Sequence, residues 1–216
     1  MRTIIVMFAL FAGLSSLNAQ EIETSVMARM GTRNTATYHY AEVYQTRGRW
    51  IYPDVLYIDF GKNNYREIGI GGGAILHASK RFVVIEEGYI EQAIGTASGN
   101  ATYFIPWTLV IWKVTPKIAS ETCYFPYLPL NKSGRIQHVL ERSKVEYEFR
   151  RWKLGGGYGA YQFGEAKWEH KPFASVTLKG GRYGDLEFWL QRMPQGAPQL
   201  QIRYAMAFKT RRNHQK

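Results

Sequence analysis

The feature that most constrains this chain is an alternation of period two, repeated in runs of about ten residues, which is the signature of strands with two unlike faces. From Val145 to Arg150 the set Val145, Tyr147, Phe149 opposes Glu146, Glu148, Arg150. From Asp185 to Gln191, Leu186, Phe188 and Leu190 oppose Asp185, Glu187 and Gln191, and from Gln199 to Phe208, Leu200, Ile202, Tyr204, Met206 and Phe208 oppose Gln199, Gln201, Arg203, Ala205 and Ala207. In Val55 to Phe60 the apolar Leu56, Ile58 and Phe60 alternate with Val55, Tyr57 and Asp59. Helical period is hard to find, so the chain reads as all-β.

Turn residues separate the runs at Arg47-Gly48-Arg49, Gly61 to Asn64, Gly95 to Asn100, Lys179 to Arg182 and Met193 to Pro198, where Gly and Asn supply positive φ at low cost. The spacing predicts about ten strands, with a range of 8 to 12, near 36–46, 50–60, 65–77, 80–92, 101–114, 139–151, 154–163, 166–178, 183–192 and 198–208. Short connections make neighbours antiparallel. A long meander closes most simply into an up-and-down β-barrel, because closure removes its adhesive edges.

Strand length bears on where such a barrel resides. A soluble strand averages about five or six residues, whereas a tilted strand crossing a bilayer needs about nine to eleven. Trp50, Tyr52, Phe60, Tyr65, Tyr103, Trp112, Trp152, Trp168, Tyr183, Tyr204 and Phe208 fall near strand ends, as interfacial girdles do, although aromatics are also ordinary strand formers.

The N-terminus agrees with an exported protein. Arg2 precedes the apolar run Ile4 to Ala12, and small residues lead to Ala19, the pattern of a signal peptide cleaved after residue 19. The expected organisation is a signal peptide at 1–19, an N-terminal extension at 20–34, one barrel domain at 35–208 and a basic tail at 209–216. With a single cysteine, Cys123, no internal disulfide is available. The net charge of +11 comes from basic residues scattered along the chain, which argues against a nucleic-acid stripe and leaves a solvated basic surface or attraction to anionic lipid or solutes.

Together these residues resemble the general class of Gram-negative outer-membrane β-barrel proteins: an export signal, ten-residue dyad strands, short turns and a last strand, Leu200 to Phe208, ending in an aromatic. The likeness covers nearly the whole mature chain. One departure is that Lys209 to Lys216 follow the final aromatic, which in that class typically ends the chain. The resemblance implies residence in the outer membrane, lipid as a partner, and a structural, binding or limited-transport role without catalysis. A second departure favours an alternative. Phe82 to Ile85 and Phe104 to Trp112 are apolar on both faces, which suits a closed apolar lumen or a soluble periplasmic or secreted barrel holding an apolar or amphipathic ligand. Membrane contact predicts that Leu56, Ile58, Phe60, Leu186, Phe188, Leu190, Leu200, Ile202 and Tyr204 point outward in one band.

Candidate sites are few. Gly69 to Ala74 matches a G-x-G-x-x-A dinucleotide pattern, but a strand-like segment follows where that motif needs a helix, so no cofactor is expected. His39, His77, His138, His170 and His214 show no metal-ligand spacing, and neither His77 with Ser79 nor His170 fits a known catalytic motif; no catalytic or metal site is assigned. Glu86, Glu87 and Glu91 invite an acid–base reading, yet carboxylates in a narrow barrel more often join ion pairs. The expected lumen network is Glu146, Glu148, Arg150, Asp185, Glu187 and Arg203. The longest connection, 115–138, carries Tyr124, Phe125, Tyr127 and Leu128 among prolines. It is expected to be a lid, a plug or interaction loop, or else an unregistered pair of strands.

Overall fold

A computed structural model describes residues 22–33, 36–61, 65–95, 100–193 and 197–210. The expected signal peptide, most of the basic tail and parts of several connections lie outside the described residues. Among the described residues, twelve antiparallel strands close into one barrel in strict sequence order. They are β1 (Ile22–Arg33), β2 (Ala36–Arg47), β3 (Trp50–Asp59), β4 (Arg66–Ala78), β5 (Phe82–Ile94), β6 (Thr102–Lys113), β7 (Ile118–Pro129), β8 (Gln137–Glu148), β9 (Trp152–Phe163), β10 (Glu169–Lys179), β11 (Asp185–Gln191) and β12 (Gln199–Thr210). Closure is made by β1 against β12, from Ile22 opposite Thr210 to Gly31 opposite Gln201, so neither terminal strand keeps a free edge.

The up-and-down barrel is as expected, at the upper end of the expected strand number, and the two extra strands decide two readings. Residues 22–33 are β1 rather than an extension, and of the two readings of 115–138, a loop or an unregistered pair of strands, the second fits: residues 118–129 are β7, hydrogen-bonded to both β6 and β8. β12 also runs to Thr210, taking in the first two residues of the expected tail. All strands except the seven-residue β11 have ten to thirteen residues, the length a tilted bilayer crossing requires.

Face assignment follows the period of two with three exceptions. Leu186, Phe188, Leu190, Leu200, Ile202 and Tyr204 alternate with the lumen-facing Glu187, Trp189, Gln191 and Gln199 and face outward. Leu56 and Ile58, expected outside, are buried in the interior, and Phe60 packs against them there. Both faces of β3 are apolar, so the pattern alone cannot choose between them. Asp54 decides: its carboxylate is wholly buried against the Tyr89 hydroxyl inside the barrel, and Leu56 and Ile58 follow it at i+2 and i+4. Val55 and Tyr57 take the outer wall instead. Tyr103, buried, and Tyr65, packed beside it, likewise leave the expected girdle for the interior, whereas Tyr52, Trp112, Trp152, Trp168, Tyr183 and Phe208 are exposed on the outside or at the rims.

Inward glycines on β4 make room for bulky lumen groups. A Cβ on Gly73 would stand 2.0 Å from the Glu86 carbonyl oxygen and 2.6 Å from Glu87 Cα, both backbone atoms that cannot move aside. Gly73→Ala is therefore expected to destabilise the barrel by about 1–3 kcal/mol, read as a lower denaturant midpoint. Unchanged stability would show that the β4–β5 approach is looser than described.

Candidate functional site: a filled lumen

The interior is packed in two layers. Toward the rim opposite the termini, Leu56, Ile58, Tyr89, Ala93, Ala101, Tyr103, Ile105 and Tyr127 form a buried cluster. Its aromatic pairs meet edge-on or tilted, with Tyr103 and Tyr127 rings 5.2 Å apart and nearly perpendicular. Phe125 packs against the same cluster. Of the expected interaction loop, then, Phe125 and Tyr127 belong to the core. Tyr124 and Leu128 face outward on β7, where the Tyr124 hydroxyl lies 2.8 Å from Nδ1 of His138.

The second layer is ionic. Lys144 of β8 places Nζ 2.7 Å from Glu187 Oε1 on β11, 3.2 Å from Glu146 Oε1 and 3.8 Å from Glu121 Oε2. Arg203 of β12 reaches the other Glu187 oxygen at 3.5 Å, and its Nε donates to the Met27 sulfur at 2.9 Å. Arg142 pairs with both Glu121 and Glu141, and Arg29 of β1 crosses the lumen to Glu141 of β8. Two strands that are not neighbours are thereby tied together.

A local irregularity makes that tie possible. In β8, Arg142 pairs with Cys123 and Leu140 with Tyr124, so Glu141 has no partner on β7, and the register with β9 also skips from Leu140 to Ser143. This is a β-bulge, which turns two consecutive residues to one face. Glu141 and Arg142 both reach the lumen because of it. Trp189 roofs the network: its ring stacks on Phe173 at 4.4 Å, and the Arg29 guanidinium lies 5.4 Å from its centroid.

Of the six residues expected to form a lumen network, Glu146, Glu187 and Arg203 stand in it. Glu148 and Asp185 lie at the rim that carries the termini, paired with Lys179 and Lys153, and Arg150 is exposed in the turn between β8 and β9. Sequence reasoning missed Arg29, Glu121, Glu141, Arg142 and Lys144. The signal available was Lys144, which shares the face of Glu146 at i+2.

The opposite wall is acidic without matching cations. The Tyr89 hydroxyl donates to Asp54 Oδ2 at 2.7 Å and approaches Glu42 Oε1 at 3.5 Å, and Glu87 adjoins Asp54. Further along the lumen, Glu67 accepts from the Tyr127 hydroxyl at 3.2 Å, and Glu91 beside it is fully buried. None of these five carboxylates belongs to an ion pair among the described residues, and one oxygen each of Glu42, Asp54, Glu87 and Glu91 has no hydrogen-bond partner. Glu86, by contrast, sits on the outer side and accepts from Thr108 Oγ1 at 2.9 Å. His77 and His170 are exposed on β4 and β10, and no group of three or more His, Cys, Asp or Glu residues among those described is placed to hold a metal ion.

A closed twelve-stranded antiparallel barrel with long strands, an apolar outer wall and charged side chains within has the architecture of the general class of outer-membrane β-barrels, as the sequence resemblance implied. Solved structures bear this out. The fold is similar to that of the KdgM porin, over 87% of this chain and 99% of that one, with a TM-score of 0.61 and 10% identity. It is similar to the NanC porin over 85% of this chain and 98% of that one, with a TM-score of 0.58 and 9% identity. The COG4313 outer membrane channel from Pseudomonas putida F1 matches 89% of this chain and 97% of its own, with a TM-score of 0.58 and 11% identity. No family model matches the sequence, and no curated protein matches it.

Proposed function

We propose that this protein is a non-catalytic outer-membrane β-barrel that binds or passes small solutes sparingly, with a preference for cations. The observation that carries the reading is the contact of Arg29 on β1 with Glu141 on β8, which joins distant parts of the wall across the lumen at the level of the ionic layer. A wide aqueous channel does not fit beside that tie, so limited transport suits the interior better than free diffusion. The cation preference follows from the oxygen lining. In the ionic layer Arg29, Arg142, Lys144 and Arg203 face Glu121, Glu141, Glu146 and Glu187, while Glu42, Asp54, Glu67, Glu87 and Glu91 have no ion-pair partner among the described residues and offer their oxygens to an entering cation.

A KdgM porin has been solved in complex with disordered oligogalacturonate. For the present chain, an anionic oligosaccharide of that kind would meet the surplus of carboxylates, so the fold is shared while the solute class differs. Single-channel recording of the protein refolded into planar bilayers tests the proposal. The expected result is rare, small conductance steps whose reversal potential in a salt gradient shows potassium favoured over chloride. A large steady conductance, or chloride preference, overturns it.

A further inference from the structure

Basic residues that are scattered in sequence converge in space. In an up-and-down barrel every second connection lies at the same rim, here the rim that also carries the start of β1 and the end of β12. Each of the five connections at this rim is basic. Arg47 and Arg49 flank Gly48 between β2 and β3, Lys80 and Arg81 lie between β4 and β5, and Lys113 and Lys117 bracket the turn between β6 and β7. Arg150 and Arg151 connect β8 to β9, and Arg182 sits between β10 and β11. All nine are exposed.

Acidic residues here are already matched. Glu148 pairs with Lys179, Asp185 with Lys153, and Glu23 stands opposite Lys209 in register. Among the described residues, none of the nine cations is in an ion pair. Nothing in the fold requires a closed ring of like charge, whose members repel one another. Counted the same way, with strand-end residues included, the described part of the other rim carries Arg33, Arg66, Lys132, Arg135, Lys167 and Arg192, with Glu165 among them and Arg66 paired with Asp59.

Aromatic side chains alternate with these cations. The Arg49 guanidinium lies 4.9 Å from the Trp50 ring centroid, that of Arg182 4.6 Å from Tyr183, and Lys117 Nζ 6.0 Å from Tyr147. Trp112 and Trp152 are exposed at the same level. An amphipathic ring beside a cation is the composition of a bilayer interface, where the aromatic sits at headgroup depth and the cation reaches phosphate.

We infer that the rim bearing the termini is a collar that binds anionic phospholipid headgroups of the leaflet it contacts. The collar rests on the membrane reading above and adds to it a leaflet, a lipid class and a set of residues. It gathers acidic lipid around one mouth of the barrel and fixes the depth at which the barrel sits.

The test uses the full chain refolded into phosphatidylcholine vesicles containing a minority of phosphatidylglycerol, with spin-labelled lipids reporting the shell around the protein. Spin-labelled phosphatidylglycerol is expected to associate several-fold more strongly than phosphatidylcholine, and the preference to collapse in about 0.5 M NaCl, where the Debye length is only a few ångströms. The variant Arg47→Gln, Arg49→Gln, Lys80→Gln, Arg81→Gln should lose most of the preference, while Lys in place of the three arginines, with Lys80 retained, keeps it. Neutralising Lys132, Arg135 and Lys167 at the other rim should leave it unchanged. Folding of each variant is read from faster gel migration before heating. A folded, inserted barrel with no lipid preference, with a preference untouched by the collar variant, or with a collar that instead captures soluble polyglutamate, overturns the collar alone. A chain that never enters vesicles overturns the membrane reading as well.

Discussion

Replacing Arg142 with alanine is expected to cost about 3–5 kcal/mol of barrel stability, the range seen when one partner of a buried ion pair is removed and the other is left unpaired. Arg142 is only 2% exposed and pairs with two carboxylates, Glu121 and Glu141. Without it, the ion pairs left among the described residues are Lys144 with Glu121 at 3.8 Å and Arg29 with Glu141. The measurement is denaturant unfolding of the refolded barrel followed by tryptophan fluorescence, since Trp189 lies against the network. The same variant should raise the frequency and size of conductance steps, because loosening Glu141 weakens the tie to Arg29 across the lumen. The double change Glu121→Leu with Arg142→Met removes the under-paired Glu121 charge along with Arg142, leaves Glu141 to Arg29, and should recover part of the loss. Equal stability in the wild type and the Arg142→Ala variant would mean that the network is wet and the lumen already open.

The architecture was legible in the sequence to the extent that the period of two was clean. In β11 and β12 the apolar and polar sets alternate and lie on opposite faces, the apolar set on the side that membrane contact predicts, with Trp189 the apolar member of the inner face. β7 stays ambiguous between loop and strand in the sequence because Pro126 and Pro129 interrupt the pattern, and proline in a strand ordinarily argues against one. β1 was missed for a related reason. Its inner face mixes Ser25, Met27, Arg29 and Gly31 and so lacks the contrast that periodicity needs.

The lumen was legible only within a strand. Glu146 and Lys144 share a face at i+2, but their meeting with Glu187 depends on the packing of β8 against β11 across the interior, and no local pattern encodes that. Glu141 reaches the lumen through a bulge, a register event decided by pairing with both neighbours. The charge collar failed to register for a different reason. Nine basic residues spaced from Arg47 to Arg182 look dispersed until alternate turns are recognised as one rim. The topology, more than the composition, concentrates them.

The outer wall decides between a membrane barrel and a soluble one, and a single charge placed on it separates the two. Ile70 lies in β4 between Val55 of β3 and Ile90 of β5, away from both rims, and all three side chains are exposed on the outside. In lipid, Ile70→Arg should cost about 2–4 kcal/mol, the penalty for a cation near the midplane on the lipid face of a barrel. In water the same exposed change should fall within about 0.5 kcal/mol of zero. Unfolding of the two proteins in phospholipid bilayers measures the difference directly. Arg203 is the internal control: it is a cation at a comparable depth on the opposite face, and it is accommodated because Glu187 and Met27 receive it. The barrel therefore tolerates charge according to face rather than depth. A large penalty at Ile70 places that outer face in lipid, and a negligible one returns the chain to solution as a carrier whose apolar exterior would need another explanation.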